Sequence, residues 1–158
     1  MKLRLLCVGR LSAPWIRAGV EEYGGRIGRY LPFETIELRE ASGGGTKGDI
    51  RFGRDEEGGR ILQRLSSSAF VVILDEGGKA LTTEAWSAFL GERMLYGPDE
   101  VILVVGGAYG LNDAVKARGD LSFSLSKLTF PHQLARLLLL EQTYRAMTIL
   151  RNEPYHNR

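Results

Sequence analysis

Between Phe123 and His132 the chain sets Ser124, Ser126, Lys127 and Thr129 among Leu125, Leu128 and Phe130, then runs straight into the apolar stretch Gln133–Met147. Hydroxyls and an amine embedded among residues that favour burial are unusual for a surface loop. Such a segment can wrap a ligand with backbone amides and carbonyls while its apolar members pack inward. A second ligand-type turn, Gly106–Gly110, lies upstream after an apolar run, and the two suggest one pocket. The tail 151–158 adds Tyr155 and His156 flanked by Arg151 and Arg158. These side chains can stack on a base, move a proton and pair with phosphate. The competing reading of the tail is a frayed terminus. Histidine is scarce: His132 and His156 are the only two, and each flanks one of these segments.

The elements that must position these groups follow from periodicity. Lys2–Val8 reads as a strand, and Pro14 opens a helix reaching about Ile27. Phe33–Leu38 alternates as a second strand. The glycine-rich stretch Ala41–Gly48 is expected to be a mobile loop, and Asp49 to cap a helix to about Leu65, weakened by Gly53, Gly58 and Gly59. Ala69–Leu74 and Val101–Val105 are continuous apolar runs, as in strands covered on both faces. Asp75–Lys79 is expected to turn the chain. Thr82 or Thr83 starts a helix to about Leu95, with Glu84 favouring its N-terminus. A short helix capped near Asn112, a short strand over Leu121–Leu125 and a terminal helix ended by Pro154 complete the pattern. Strands alternating with helices predict an α/β fold with a largely parallel sheet flanked by helices, in one domain over residues 1–158. The terminal helix carries Leu134, Leu137–Leu140, Met147 and Ile149, more than one apolar stripe, so part of it should meet a second subunit or its own chain.

Composition bounds the function. The 158 residues are 44% hydrophobic and 25% charged, with a formal net charge of +2, which permits a nucleic-acid partner without demanding one. No apolar run reaches a membrane span, and Met1–Gly9 lacks the apolar stretch of a signal peptide. The single Cys7 cannot form an internal disulfide and is expected to be core packing in a reduced, cytoplasmic setting. Two histidines, one cysteine and scattered carboxylates show no metal-ligand spacing. There is no P-loop, no Gly-x-Ser-x-Gly, and Gly106–Gly110 lacks the Rossmann spacing, although ligands in open α/β sheets gather where Leu74–Asp75 and Gly106–Gly107 end their strands. Asp75 there can hold a ribose hydroxyl or simply cap a turn.

Four motifs in order, Val104–Leu111, Leu125–His132, Glu141–Ala146 and Pro154–His156, resemble the small SPOUT-class methyltransferases that act on pseudouridine in large-subunit ribosomal RNA. The resemblance covers the whole chain. It implies the SPOUT fold with a C-terminal trefoil knot, which general topology rules would have discouraged. It also implies a homodimer and S-adenosylmethionine as cofactor. Carried over residue by residue, Leu74 and Gly106 contact the cofactor, and Leu125, Ser126, Lys127, Leu128, Thr129 and Phe130 enclose it. Tyr155 and His156 match the family's terminal pair nearest the target base, completed across the dimer. The implied reaction is methylation at ring N3; by intrinsic pKa His156 is the best candidate base, Tyr155 can orient or stack the ring, and an arginine such as Arg145 can steady the developing anion. The implied substrate is ribosomal RNA within the ribosome, without metal or membrane. Rival expectations are a SPOUT methyltransferase on another RNA, such as a ribose or base of transfer RNA, and a non-catalytic nucleotide-binding module of the ribosome. The chain departs from the family at Ala108–Tyr109 and in its extra glycines at 43–45, 53, 58 and 59.

Overall fold

The computed structural model describes residues 1–42 and 47–157; the middle of the glycine-rich stretch, expected to be a mobile loop, lies outside the described residues. In chain order the elements are β1 (Lys2–Val8), α1 (Pro14–Ile27), β2 (Phe33–Leu38), α2 (Lys47–Leu62), β3 (Phe70–Ala80), α3 (Thr83–Tyr96), β4 (Glu100–Val105), α4 (Asp113–Arg118), β5 (Leu121–Ser124) and α5 (His132–Leu150). The strands form one sheet ordered β2-β1-β4-β3-β5, every neighbouring pair parallel.

Strand periodicity sorts the core into two layers. Leu3, Leu5 and Cys7 of β1 join Val101, Leu103 and Val105 of β4 on the face covered by α1, α3 and α5. Leu6, Val8, Ile102 and Val104 point the other way, onto Ile61 of α2 and Val115 of α4. Both faces are therefore dry, which explains the uninterrupted apolar runs of β3 and β4. Trp86 stacks on Phe123 at 4.7 Å between ring centroids, fastening the edge strand β5 to α3.

Caps behave as their residue types require. The Thr82 side chain accepts from the Ala85 amide at 3.1 Å and Asn112 from Val115 at 3.0 Å, so α3 and α4 start where expected. Elsewhere the structure corrects the expectations. Asp75–Lys79 does not end β3: Leu74 and Lys79 both pair with Phe123, so Asp75–Gly78 bulge out and the strand resumes against β5. Gly78 makes this possible, since a Cβ there would come 2.7 Å from the Ser122 carbonyl carbon. Helix α2 runs Lys47–Leu62, starting before Asp49 and stopping short of Leu65, and its glycines do not break it. Strand β5 stops at Ser124, one residue early. Helix α5 ends at Leu150 rather than at Pro154, because Asn152 adopts φ 55° and turns the chain first.

One buried side chain ties the last helix to the sheet. Arg136, 1% exposed, donates through Nη2 to the carbonyls of Val8 and of Gly9 (2.8 Å), and through Nη1 to Glu37 at 3.1 Å. It anchors the start of α5 at the carboxyl end of β1. Arg136→Met should leave two carbonyls without their donor and lower stability by about 2–4 kcal/mol, read by urea unfolding; an unchanged midpoint would remove the clamp from the account. Cys7 is fully buried, and burial pushes its thiol up to about 11. At pH 8 the folded protein therefore holds it protonated, and iodoacetamide should label Cys7 only as fast as the chain unfolds.

Candidate cofactor pocket and terminal cluster

Because the strands are parallel, Leu74, Val105 and Ser124 end at one level on the carboxyl rim of the sheet. Beyond them opens a cavity of about 340 Å³, within the roughly 300–1,000 Å³ range of small-molecule sites. Three chain segments wall it: Leu74–Glu76 after the regular part of β3, Gly106–Leu111 after β4, and Ser124–Phe130 after β5. His132 and Ala135 of α5 close one side, and Arg54 of α2 and Lys116 of α4 stand at the others.

Of the expected cofactor residues, Leu74, Gly106, Leu125, Ser126, Leu128 and Phe130 line this cavity together. Lys127 and Thr129 belong to the same loop but do not line it; both are exposed, and the Thr129 hydroxyl donates to Glu76 at 3.2 Å. The loop holds its own shape. Ser126 Oγ accepts from the Leu128 amide at 3.0 Å, and Ser124 Oγ donates to the Ser126 carbonyl at 2.9 Å. Ser124 and Ser126 thus serve the backbone while Leu125 and Phe130 turn inward. The opposite turn needs glycine at Gly110, where φ is +78°. Arg54 steadies that turn by donating to the Tyr109 carbonyl at 2.8 Å.

The donor set suits a nucleoside-type ligand with a cationic centre. Asp75 and Glu76 supply carboxylates, the glycine turn leaves backbone open to close approach, and a Cβ at Gly106 would come 3.0 Å from Leu111. His132 Nε2 is buried without a hydrogen-bond partner among the described residues. Burial, helped by Arg136, holds His132 below the usual histidine range, so it meets a ligand as a neutral imidazole. Sequence reasoning had quoted His132 only as a flank of the loop, and its adjacency to a Pro-led helix start was the available signal. Arg54 and Lys116 were missed, since nothing local marks them. Among the described residues no cluster of His, Cys, Asp or Glu could hold a metal ion. No helix among them is long and apolar enough to cross a membrane.

Tyr155, His156 and Arg145 come together at the other end of α5. Arg145 grips Glu141 Oε1 through Nε (3.0 Å) and Nη2 (2.5 Å), and its guanidinium lies 4.7 Å from the Tyr155 ring centroid. The Tyr155 hydroxyl donates to Glu141 Oε1 at 3.0 Å and meets the Tyr23 hydroxyl at 3.4 Å. Burial first, then the bonds to Tyr23 and Glu141, raise the Tyr155 phenol well above the ordinary tyrosine range, so it is a donor and not a base. His156 lies between Arg145 Nη1 (3.3 Å from Nδ1) and Glu84 Oε1 (3.2 Å from Nε2). Tyr30 donates to Glu153 at 2.5 Å, and Tyr144 packs edge-on against Tyr155. The tail is therefore pinned to α1, α3 and α5 rather than frayed. Glu141 was readable in sequence as the i−4 partner of Arg145; Glu84, Tyr23 and Tyr30 reach the tail only through tertiary packing.

A model of the SPOUT methyltransferases, described as "Predicted SPOUT methyltransferase", matches residues 1–156. The chain belongs to the SPOUT methyltransferase family. It is 49% identical over 158 residues to the "Ribosomal RNA large subunit methyltransferase H" of Syntrophotalea carbinolica, covering 100% of both chains. It is 44% identical over 157 residues to the protein of the same name from Trichlorobacter lovleyi, covering 99% of this chain and 100% of that one. A putative methyltransferase of Legionella pneumophila, solved with its bound cofactor SAM, superposes with a TM-score of 0.52 at 11% identity, over 92% of this chain and 66% of that one. That likeness is one of fold, a five-stranded parallel sheet flanked by helices.

The two sets of residues stand apart. His132 and Arg145 are separated along α5 by about 20 Å at the helical rise of ~1.5 Å per residue, so one copy of the chain does not bring pocket and tail together. Gly106→Val should abolish cofactor binding measured by calorimetry, whereas removing the side chains of Tyr155 and His156 should leave it intact. Loss of binding in both would contradict the division.

Proposed function

We propose that this SPOUT enzyme methylates ring N3 of a pseudouridine in large-subunit ribosomal RNA, using S-adenosylmethionine held in the rim pocket by Leu74, Gly106 and Leu125–Phe130. The observation that carries the reading is the pinned Tyr155–His156–Arg145 set, which is built like a site for a planar base and is isolated from the pocket in its own protomer. The names of the full-length relatives support ribosomal RNA as the class of substrate. Bound S-adenosylmethionine would supply a methyl group activated by its sulfonium.

The protein's part is to bind, orient and deprotonate. An imide nitrogen is protonated at neutral pH, so its proton must leave before the nitrogen can attack. His156 is the side chain of the set with the intrinsic basicity for this. Tyr155 presents an aromatic face, and Arg145, held always cationic by its hydrogen bonds to Glu141, can offset the negative charge that develops on the ring oxygens. Holding the base against the donor can itself supply roughly 7–11 kcal/mol of the barrier. A homodimer that sets the tail of one subunit over the pocket of the other would unite the two halves. The partly exposed Leu134, Leu137 and Leu138 of α5, with Trp15 64% and Leu128 70% exposed, offer an apolar surface for it.

With a net charge of +2 the chain has little basic excess for gripping naked RNA, so shape must supply recognition, and the substrate is the assembled ribosome in the cytoplasm. Methylation should be far faster on large subunits or ribosomes than on free ribosomal RNA; equal rates would contradict this. His156→Ala should cut the single-turnover rate by about 10²-fold or more without weakening cofactor binding. Full single-turnover activity would remove His156 as the base.

A further inference from the structure

We propose that Glu84 is a positioning residue: it orients His156 so that His156 Nδ1 and Arg145 Nη1 form a paired acceptor and donor matched to the imide edge of a uracil-type base. This rests on the reading that the tail faces the target base. It goes further by naming what the tail reads and what sets it up to do so.

A guanidinium only donates, so at the 3.3 Å contact between Arg145 Nη1 and His156 Nδ1 the imidazole must accept, and Nδ1 carries a lone pair. In a neutral ring the other nitrogen, Nε2, then carries the hydrogen. It faces Glu84 Oε1 at 3.2 Å, a carboxylate that only accepts. The two contacts, made from α5 and α3, demand the same tautomer. A carboxylate behind a histidine is the usual means of fixing which nitrogen is basic. Arg145 is fixed as well, because Nε and Nη2 are both spent on Glu141, which leaves Nη1 turned toward His156.

The outcome is a lone pair on Nδ1 capped by the Nη1 N–H, an acceptor and a donor that an incoming base can part. A uracil-type edge offers the complement, an N3–H donor beside a carbonyl acceptor. In the same pose a cytosine-type edge sets its acceptor N3 against Nδ1; it can satisfy the pair only by placing its amino group on Nδ1 and N3 on Nη1, which leaves no ring N–H at His156. Reading a splayed base by its Watson–Crick edge is the common mode of specific RNA recognition. When such a base enters, its N3–H takes the place of Nη1 at Nδ1, and Nη1 swings to the ring carbonyl while the grip on Glu141 holds. The proton passes from N3 to Nδ1 and the bonding electron pair stays on N3 as the imide anion. Glu84 then balances the imidazolium through Nε2–H. Without Glu84 the ring is free to turn over, which would put an N–H against the base and against Arg145.

Nitrogen-15 NMR of the ring tests this on the wild-type protein directly, with only two histidines to assign and His156→Gln to separate them. The expected spectrum has the His156 hydrogen on Nε2; a hydrogen on Nδ1 overturns the proposal whatever the activity. Glu84→Ala should redistribute the tautomers and lower the single-turnover rate by about 10²-fold, with cofactor affinity and ribosome half-saturation little changed. Glu84→Asp should recover part of both the spectrum and the rate. A wild-type rate in Glu84→Ala, or a loss confined to ribosome half-saturation, would also overturn the role. If the wild-type protein methylates no pseudouridine, the functional reading fails while the tautomer result stands by itself. Methylation with the hydrogen on Nδ1 sinks only the role of Glu84.

Discussion

A single buried guanidinium holds the working parts of this molecule in register. Arg136 lies one turn into α5 with Nη2 bonded to the carbonyls that end β1 and Nη1 to Glu37 of β2. Removing a full charge from water costs several kcal/mol, and the acceptors at Nη1 and Nη2 offset it, while Nε stays buried without a partner among the described residues. The arrangement is therefore specific about position: α5 can start only where those carbonyls point. That start sets His132 and Ala135 against the pocket, and Arg136 helps keep His132 neutral. The same rigid helix carries Glu141 and Arg145 to the far end, where the tail docks. One contact at the sheet rim thus sets the geometry of both functional regions.

The consequence is a molecule whose chemistry is divided. The rim pocket follows from parallel strands ending together, with loops after β3, β4 and β5 closing on one space. The terminal cluster follows from tyrosines of α1 and α5, a carboxylate of α3 and the end of α5. A stiff helix between them holds the two apart within one chain, and the proposed reaction is for that reason placed across two copies. The partly exposed leucines of α5, which had signalled more apolar surface than one protomer would bury, are consistent with that need.

Much of this was legible in the sequence where local rules decide. Lys2–Val8, Pro14–Ile27 and Phe33–Leu38 fell at their observed bounds because alternation, a Pro at the helix start and glycine stops act within a few residues. The loop from Leu125 to Phe130 announced itself by polar residues among apolar ones, and the resemblance gave it a role. What escaped was tertiary. The return of β3 to pair with β5 depends on Gly78 sitting against the Ser122 backbone, which a turn-like Asp-Glu-Gly-Gly string conceals. Helix α2 persists through its glycines, with Gly53 set against the Tyr109 ring and Glu57 buried at its side. Glu84 looked like an ordinary first-turn acid of α3, and its partner His156 lies 72 residues further along the chain.

The central claim is that pocket and tail act together only across two copies of the chain. The most direct measurement mixes two inactive variants, Gly106→Val with a damaged pocket and His156→Ala with a damaged tail, under conditions that let subunits exchange. Each mixed dimer would hold one site with both halves intact. Methylation of ribosomal pseudouridine should then rise from near zero to about a quarter of the wild-type rate, as random pairing in a two-fold dimer requires. Activity no greater than the sum of the two variants alone would contradict the account.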